Sequence, residues 1–164
     1  MRRLGLDNML INEILLESGE APIYYFAYGM LCDPTIMKSA DLIGMATLPN
    51  FEYELLQFAN VVPTPGSKVY GTLWNITRKF LSELDMVEGY PQFYDRKTVP
   101  VMVNGQRYEA ALYTMTPESR DTLEGSRPSQ RYINKIVRGY KHAGVPLDQL
   151  RNALKDSYRR VPTR

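Results

Sequence analysis

Residues 69–96 read VYGTLWNITRKFLSELDMVEGYPQFYDR, and three kinds of local order meet in them. Val69 to Trp74 is β-prone, with Gly71 marking a bulge, sharp curvature or the close approach of a ligand. Thr77 has the chemistry of a helix N-cap, and Phe80, Leu81, Leu84 and Val87 follow at helical spacing. Gly89 and Pro91 supply the stop. At about 100° per residue, Glu88 falls roughly 20° from Leu81 around the axis, on the apolar side if the helix runs that far. A carboxylate on a packed surface is costly unless it is paired or takes up a proton. Glu88 therefore marks either a frayed, wet last turn or a site.

Upstream of this stretch, Ile23 to Tyr28 is a β-prone run stopped by Gly29. Asp33-Pro34 has the form of an N-cap with proline at N1, predicting a short helix to about Ser39. A strand, a glycine turn and a helix start so close together offer backbone N–H groups to a carboxylate or an oxyanion. Leu42–Leu48 and Phe51–Phe58 read as strands joined at Pro49-Asn50. Residues 59–67, ANVVPTPGS, read as a loop too rich in proline and glycine for a sheet interior. Residues 7–18 form an amphipathic helix pattern, with Leu10, Ile11, Ile14 and Leu15 on one face. Residues 1–22 are thus expected as an N-terminal helical extension, docking on the domain or forming a homodimer contact.

Downstream, Thr98–Val103 and Arg107–Met115 predict a hairpin across Asn104-Gly105-Gln106, with Pro100 at an edge or a bulge. Residues 116–128 read as a polar loop, long enough for a lid or an insertion. Ser129 caps a helix that places Ile133, Ile136, Val137 and Tyr140 on one face, and Gly144-Val145-Pro146 ends it. A last helix runs from Leu147 to about Arg159. About six strands with helices at intervals, joined too directly for parallel crossovers, argue against a doubly wound sheet. The expected class is α+β: a curved, mixed or partly closed sheet with flanking helices, spanning residues 23–160.

Composition narrows the function classes. The chain has 164 residues, 44% of them hydrophobic and 23% charged, which is the make-up of one globular domain. Twenty Lys and Arg against 18 Asp and Glu leave +2, too little to imply a nucleic-acid or membrane partner. No stretch approaches a membrane span, and no glycine-rich nucleotide motif is present. Cys32 is the lone cysteine, so no internal disulfide forms, and a reduced, cytoplasmic setting fits. His142, the lone histidine, reads as a surface or C-terminal cap residue. With one Cys and one His far apart, no metal site is expected, while spacing alone leaves a Cys-His dyad open. Twelve tyrosines, apolar in face and polar at the tip, suit a pocket for a polar small molecule.

An ordered set of segments resembles the gamma-glutamylcyclotransferase-like (AIG2-like) family. They are Tyr25-Phe26-Ala27-Tyr28-Gly29-Met30-Leu31, Val69 to Trp74, Leu84-Asp85-Met86-Val87-Glu88-Gly89, Tyr94-Asp95-Arg96, Val99–Val103, Ala110–Tyr113, Pro128-Ser129-Gln130-Arg131-Tyr132 and Gly144-Val145-Pro146. The resemblance implies a small mixed barrel ringed by helices. It also implies release of 5-oxoproline from a small-molecule gamma-glutamyl amide, without metal or organic cofactor. The family's indispensable carboxylate corresponds to Glu88, and the turn that cradles the glutamyl head to Tyr28, Gly29, Met30 and Leu31. Many members carry Tyr-Gly-Ser-Asn at that turn; here Met30 and Leu31 remove the hydroxyl and the amide. Backbone contacts survive such a change, so it bears on substrate identity more than on fold.

The chemistry can also be argued from the substrate. A free α-amine and a γ-amide on one short tether need chiefly to be folded together and supplied with proton transfer. A glutamate whose pKa is raised by apolar surroundings can take a proton from the α-ammonium and return one to the departing amine. Tyr94 and Tyr132 are expected to bind the glutamyl group. Arg96 is expected either as a carboxylate partner or in a structural pair with Asp85. A non-catalytic binding or interaction protein on the same fold is the alternative, and a carboxylate locked to Arg96 would favour it.

Overall fold

Two unusually long strands set the architecture, β2 (Asp41–Leu55) and β3 (Ala59–Ile76), paired antiparallel along nearly their whole length. The computed structural model describes residues 21–160; the expected helix 7–18 and its homodimer contact lie outside them. Around that hairpin the elements run β1 (Ile23–Ala27), a 3-10 turn (Met30–Cys32), β2, β3, α1 (Arg78–Glu88), β4 (Tyr94–Val103) and β5 (Gln106–Met115). Then follow α2 (Pro117–Thr122), α3 (Gln130–Ala143) and α4 (Asp148–Arg160). The strands form a closed barrel in the order β1-β3-β2-β4-β5. Parallel pairing of Tyr24 with Ala110 and Tyr25 with Ala111 joins β1 to β5 and closes it. Phe26, Leu48, Val69, Leu73, Val101, Ala110 and Leu112 are all buried in the core. The α+β barrel with flanking helices is as the sequence leads one to expect.

Five strands replace the expected six, because Leu42–Leu48 and Phe51–Phe58 belong largely to one element. The register shifts between Pro49 and Phe51, and Asn50, at φ +63°, absorbs the irregularity without ending β2. The expected loop over 59–67 is also strand. Its proline Pro63 pairs with Phe51 on one side, whereas β1 meets β3 only at Thr72–Ile76. The proline-rich arm thus has a free outer edge, where a missing N–H costs no second ladder bond.

Further differences are local. Asp33 does cap a turn, accepting from the Thr35 N–H at 3.0 Å, but the expected helix to Ser39 is only turns. The expected loop 116–128 contains α2, with Thr116 capping at the Ser119 N–H. Arg120 of α2 then forks onto buried Glu54 at 2.7 and 2.8 Å, which fastens a segment expected as a lid or an insertion. Asn104 and Gly105 make the hairpin turn with φ of +49° and +80°. Gly71 marks a close approach, though not of a ligand: a Cβ there would meet the Ala27 carbonyl oxygen at 2.1 Å. Among the described residues, no helix is long and apolar enough to cross a membrane.

Candidate active site

Helix α1 is built as its sequence dictates up to its final residue. The Thr77 hydroxyl accepts the Phe80 N–H, and Gly89 takes the left-handed conformation that ends the helix at φ +68°. Leu81, Leu84, Asp85 and Glu88, at steps of three, four and seven, share the stripe turned toward the barrel. Leu81 and Leu84 are buried there. Val87, expected in the apolar stripe, is instead 77% exposed, because the last turn overhangs a groove. Glu88 therefore arrives at the protein's edge on a packed face, partly buried.

What Glu88 meets is a cavity of about 60 Å³ over the end of β1. All seven residues expected at the site, Glu88, Tyr28, Gly29, Met30, Leu31, Tyr94 and Tyr132, line it. Tyr25, Phe26, Ala59 and Tyr113 complete the wall and were not anticipated. Tyr25, Phe26 and Tyr113 fall inside the family-like segments, the one signal that pointed toward them. Ala59 gave none, since it stands at the start of the stretch read as loop.

The polar groups of this wall divide into engaged and free. Tyr28 donates its hydroxyl to the Tyr113 carbonyl at 2.7 Å, and Tyr140 in turn donates to the Tyr28 carbonyl. The Tyr94 hydroxyl donates to the Ala59 carbonyl at 2.6 Å, so its proton is committed and its donor role toward a ligand is not available. Tyr132 is placed the other way: its hydroxyl accepts the Ala59 N–H at 3.0 Å and keeps its own proton to donate. The 3-10 turn after Gly29 leaves the Met30 and Leu31 N–H groups without backbone partners among the described residues.

Arg96 resolves into the structural pair. Its fork binds Asp85 at 2.9 and 3.1 Å, and the Tyr113 hydroxyl adds a third bond to Asp85 at 2.5 Å. Glu88 has no hydrogen bond or ion pair among the described residues. Burial alone pushes its carboxyl up to about 7. The phenols around it stay neutral. Burial and then the Glu88 charge raise Tyr25 far above its ordinary value, and burial is the main cause that lifts Tyr132 to about 12. One titratable carboxyl therefore sits among neutral hydroxyls, and it changes protonation near neutral pH.

The match to known proteins can now be set beside this geometry. Residues 25–134 match the model of the family described as Gamma-glutamyl cyclotransferase, AIG2-like. The chain belongs to that family. Within the cyclotransferase family, the gamma-glutamylcyclotransferase of Bos taurus is 26% identical over 159 residues, spanning 87% of this chain and 82% of the relative. The gamma-glutamylcyclotransferase of Homo sapiens is 27% identical over 147 residues, spanning 79% of this chain and 76% of that one. The solved structure of YkqA from Bacillus subtilis superposes with a TM-score of 0.67 at 21% identity, covering 92% of this chain and 59% of that chain. At that identity the likeness is one of fold.

Two other sequence candidates take structural places. Cys32 is fully buried, donates its thiol to the Ala27 carbonyl at 3.1 Å, and is pushed by burial up to about 12. A Cys-His dyad does not form, because His142 faces Asp33 at 3.0 Å instead. His142 is thus more than the expected surface or cap residue. With Arg138 it clamps buried Asp33, tying α3 to the turn that follows Gly29. Gly139 makes that closeness feasible, since a Cβ on it would lie 3.1 Å from that of Asp33.

Proposed function

We propose that this protein is a gamma-glutamyl cyclotransferase that converts a gamma-glutamyl amide into 5-oxoproline and a free amine, with Glu88 as acid and base. The observation that carries the reading is Glu88 itself: a carboxyl without a partner among the described residues, raised by burial to about 7, facing the Gly29 turn across a small cavity. A carboxyl poised near neutral pH holds and releases a proton with little driving force in either direction.

The steps follow from the substrate's own connectivity. The cavity holds the glutamyl chain bent, so that its α-nitrogen lies against its γ-carbonyl carbon. Glu88 removes a proton from the α-ammonium, and the freed amine attacks that carbon. The Met30 and Leu31 N–H groups and the Tyr25 and Tyr132 hydroxyls are the donors available to the oxyanion and the head group. Collapse of the tetrahedral intermediate hands the Glu88 proton to the departing amine, while the new lactam nitrogen sheds its second proton to solvent. Tyr28 and Tyr94, their protons engaged elsewhere, shape the cavity with their rings.

The binding-protein alternative would draw support from an Arg96–Glu88 lock, and Arg96 is held by Asp85. The test is 5-oxoproline release from a panel of gamma-glutamyl amides. Turnover by the natural chain and its loss by at least about a hundredfold in Glu88→Gln are expected, on the scale of general acid–base catalysis. Undiminished turnover in that variant would remove Glu88 from the mechanism.

A further inference from the structure

The small cavity does not end at Glu88. It opens into a wider groove of about 250 Å³ that shares Met30, Glu88, Tyr94 and Tyr132 with it and adds Phe58, Val87 and Phe93. Phe58 stands edge-on to both Phe93 and Tyr132, with ring centroids 6.1 and 5.6 Å apart. These rings brace each other into fixed walls. Among the described residues, Glu88 is the only charged one in the lining, and no lysine, arginine or histidine borders the groove. Arg96, the nearby fork on β4, is occupied by Asp85 and stacked over Tyr90 at 4.8 Å.

We infer that this groove receives the departing amine of the substrate, and that it selects amines with an uncharged, apolar body over amino acids and peptides. The inference rests on the cyclotransferase reading above. Glu88 lies at the junction of the two spaces, where a proton must pass to the leaving nitrogen. If the glutamyl head fills the inner cavity, the substituent on that nitrogen continues into the groove. An amino-acid leaving group would carry its carboxylate into a space with aromatic walls, no counter-charge and the Glu88 carboxyl at its mouth. Desolvation and like-charge repulsion both oppose that arrangement. An aryl or alkyl amine instead buries apolar surface against Phe58, Phe93 and Met30. Met30 borders both spaces, so an apolar side chain stands where head and leaving group meet.

Two substrates that differ by one carboxylate test this: gamma-glutamyl-phenethylamide and gamma-glutamyl-phenylalanine. The amide is expected to show a kcat/KM at least about tenfold higher, the scale on which pocket contacts discriminate. Equal values, or a preference for the carboxylate, would overturn the inference while leaving the cyclotransferase reading intact. Calorimetric binding of both compounds to Glu88→Gln supplies a readout independent of turnover, with the same order expected in Kd. Absence of turnover together with that order of binding would sink the cyclotransferase reading and keep the groove's preference. Val87→Arg places a cation at the exposed rim, where folding tolerates it. It is expected to shift the ratio toward gamma-glutamyl-phenylalanine by roughly tenfold. A ratio unmoved by that substitution would also count against the groove as the leaving-group site.

Discussion

Asp85 and Glu88 stand three residues apart on one stripe of α1, and Arg96 binds only the first of them. Had the guanidinium reached Glu88, it would have favoured the charged carboxylate and held its pKa low. Because Asp85, itself fixed by the Tyr113 hydroxyl, holds it back, Glu88 keeps its proton until near neutrality.

That division of labour predicts different consequences for the two carboxylates. Arg96→Met leaves Asp85 half-buried with one hydroxyl partner. The pair is partly wetted, so urea denaturation should show a loss of about 1–2 kcal/mol, less than for a fully buried pair. A stability loss near zero would mean that the fork contributes nothing to anchoring α1.

The pH response of Glu88 carries a definite sign. Its folded value, about 7, lies above the ordinary carboxyl value of 4.5, so folding favours the protonated form. The associated stability is fully present below 4.5 and is lost as pH rises through 7. Glu88→Gln removes the dependence, and should stabilise the protein at pH 8 by on the order of 2–3 kcal/mol relative to pH 4. Paired thermal melts at the two pH values measure it. In the natural chain, kcat/KM should rise with pH across the same interval as the carboxyl becomes the base.

Tyr94 and Tyr132 should separate when each is changed to phenylalanine. Tyr94→Phe strands the buried Ala59 carbonyl and should cost roughly 1–3 kcal/mol of stability. Its effect on KM should be small, because that hydroxyl proton already belongs to Ala59. Tyr132→Phe strands the Ala59 N–H and also removes a phenolic donor facing the ligand, so KM should rise as well. Equal KM values in the two variants would argue against a ligand role for the Tyr132 proton.

Asp33 gives the opposite pH sign. Burial opposes its charge, but hydrogen bonds from His142 and Thr35 prevail and bring it down to about 2. The stability it contributes is present above the ordinary carboxyl value of 3.8 and is lost as pH falls toward 2. Asp33→Asn should therefore weaken the protein at pH 6 and converge with the natural chain below about pH 2. Chemical denaturation at the two ends of that range checks both halves.

Legibility in the sequence followed the range of the forces involved. Thr77, Gly89 and the 3.6 period placed Glu88 on the inner stripe without any tertiary knowledge, and Ser129 and Gly144 bounded α3 in the same way. The prolines of 59–67 misled because local propensity cannot tell that one edge of β3 is free there. The seven expected site residues converge on one cavity, yet their hydrogen bonding was out of reach. Whether Tyr94 or Tyr132 keeps its proton depends on the peptide of Ala59, 35 and 73 residues away. Val87 belonged by spacing to the core and emerged at a groove rim, because periodicity identifies a face but not where its partner ends.

Gly29 and Ala59 face each other with almost nothing between them. A methyl group on Gly29 would lie 3.8 Å from that of Ala59 and 3.8 Å from the Tyr132 hydroxyl, all ordinary contacts. The φ of Gly29, −123°, is outside the left-handed region that demands glycine. A methyl group there would take up room in a cavity of only about 60 Å³. Gly29→Ala is therefore expected to crowd a bound ligand at contacts that the protein itself accommodates. Smallness at two positions far apart in sequence, Gly29 and Ala59, is what leaves this chamber room for a ligand.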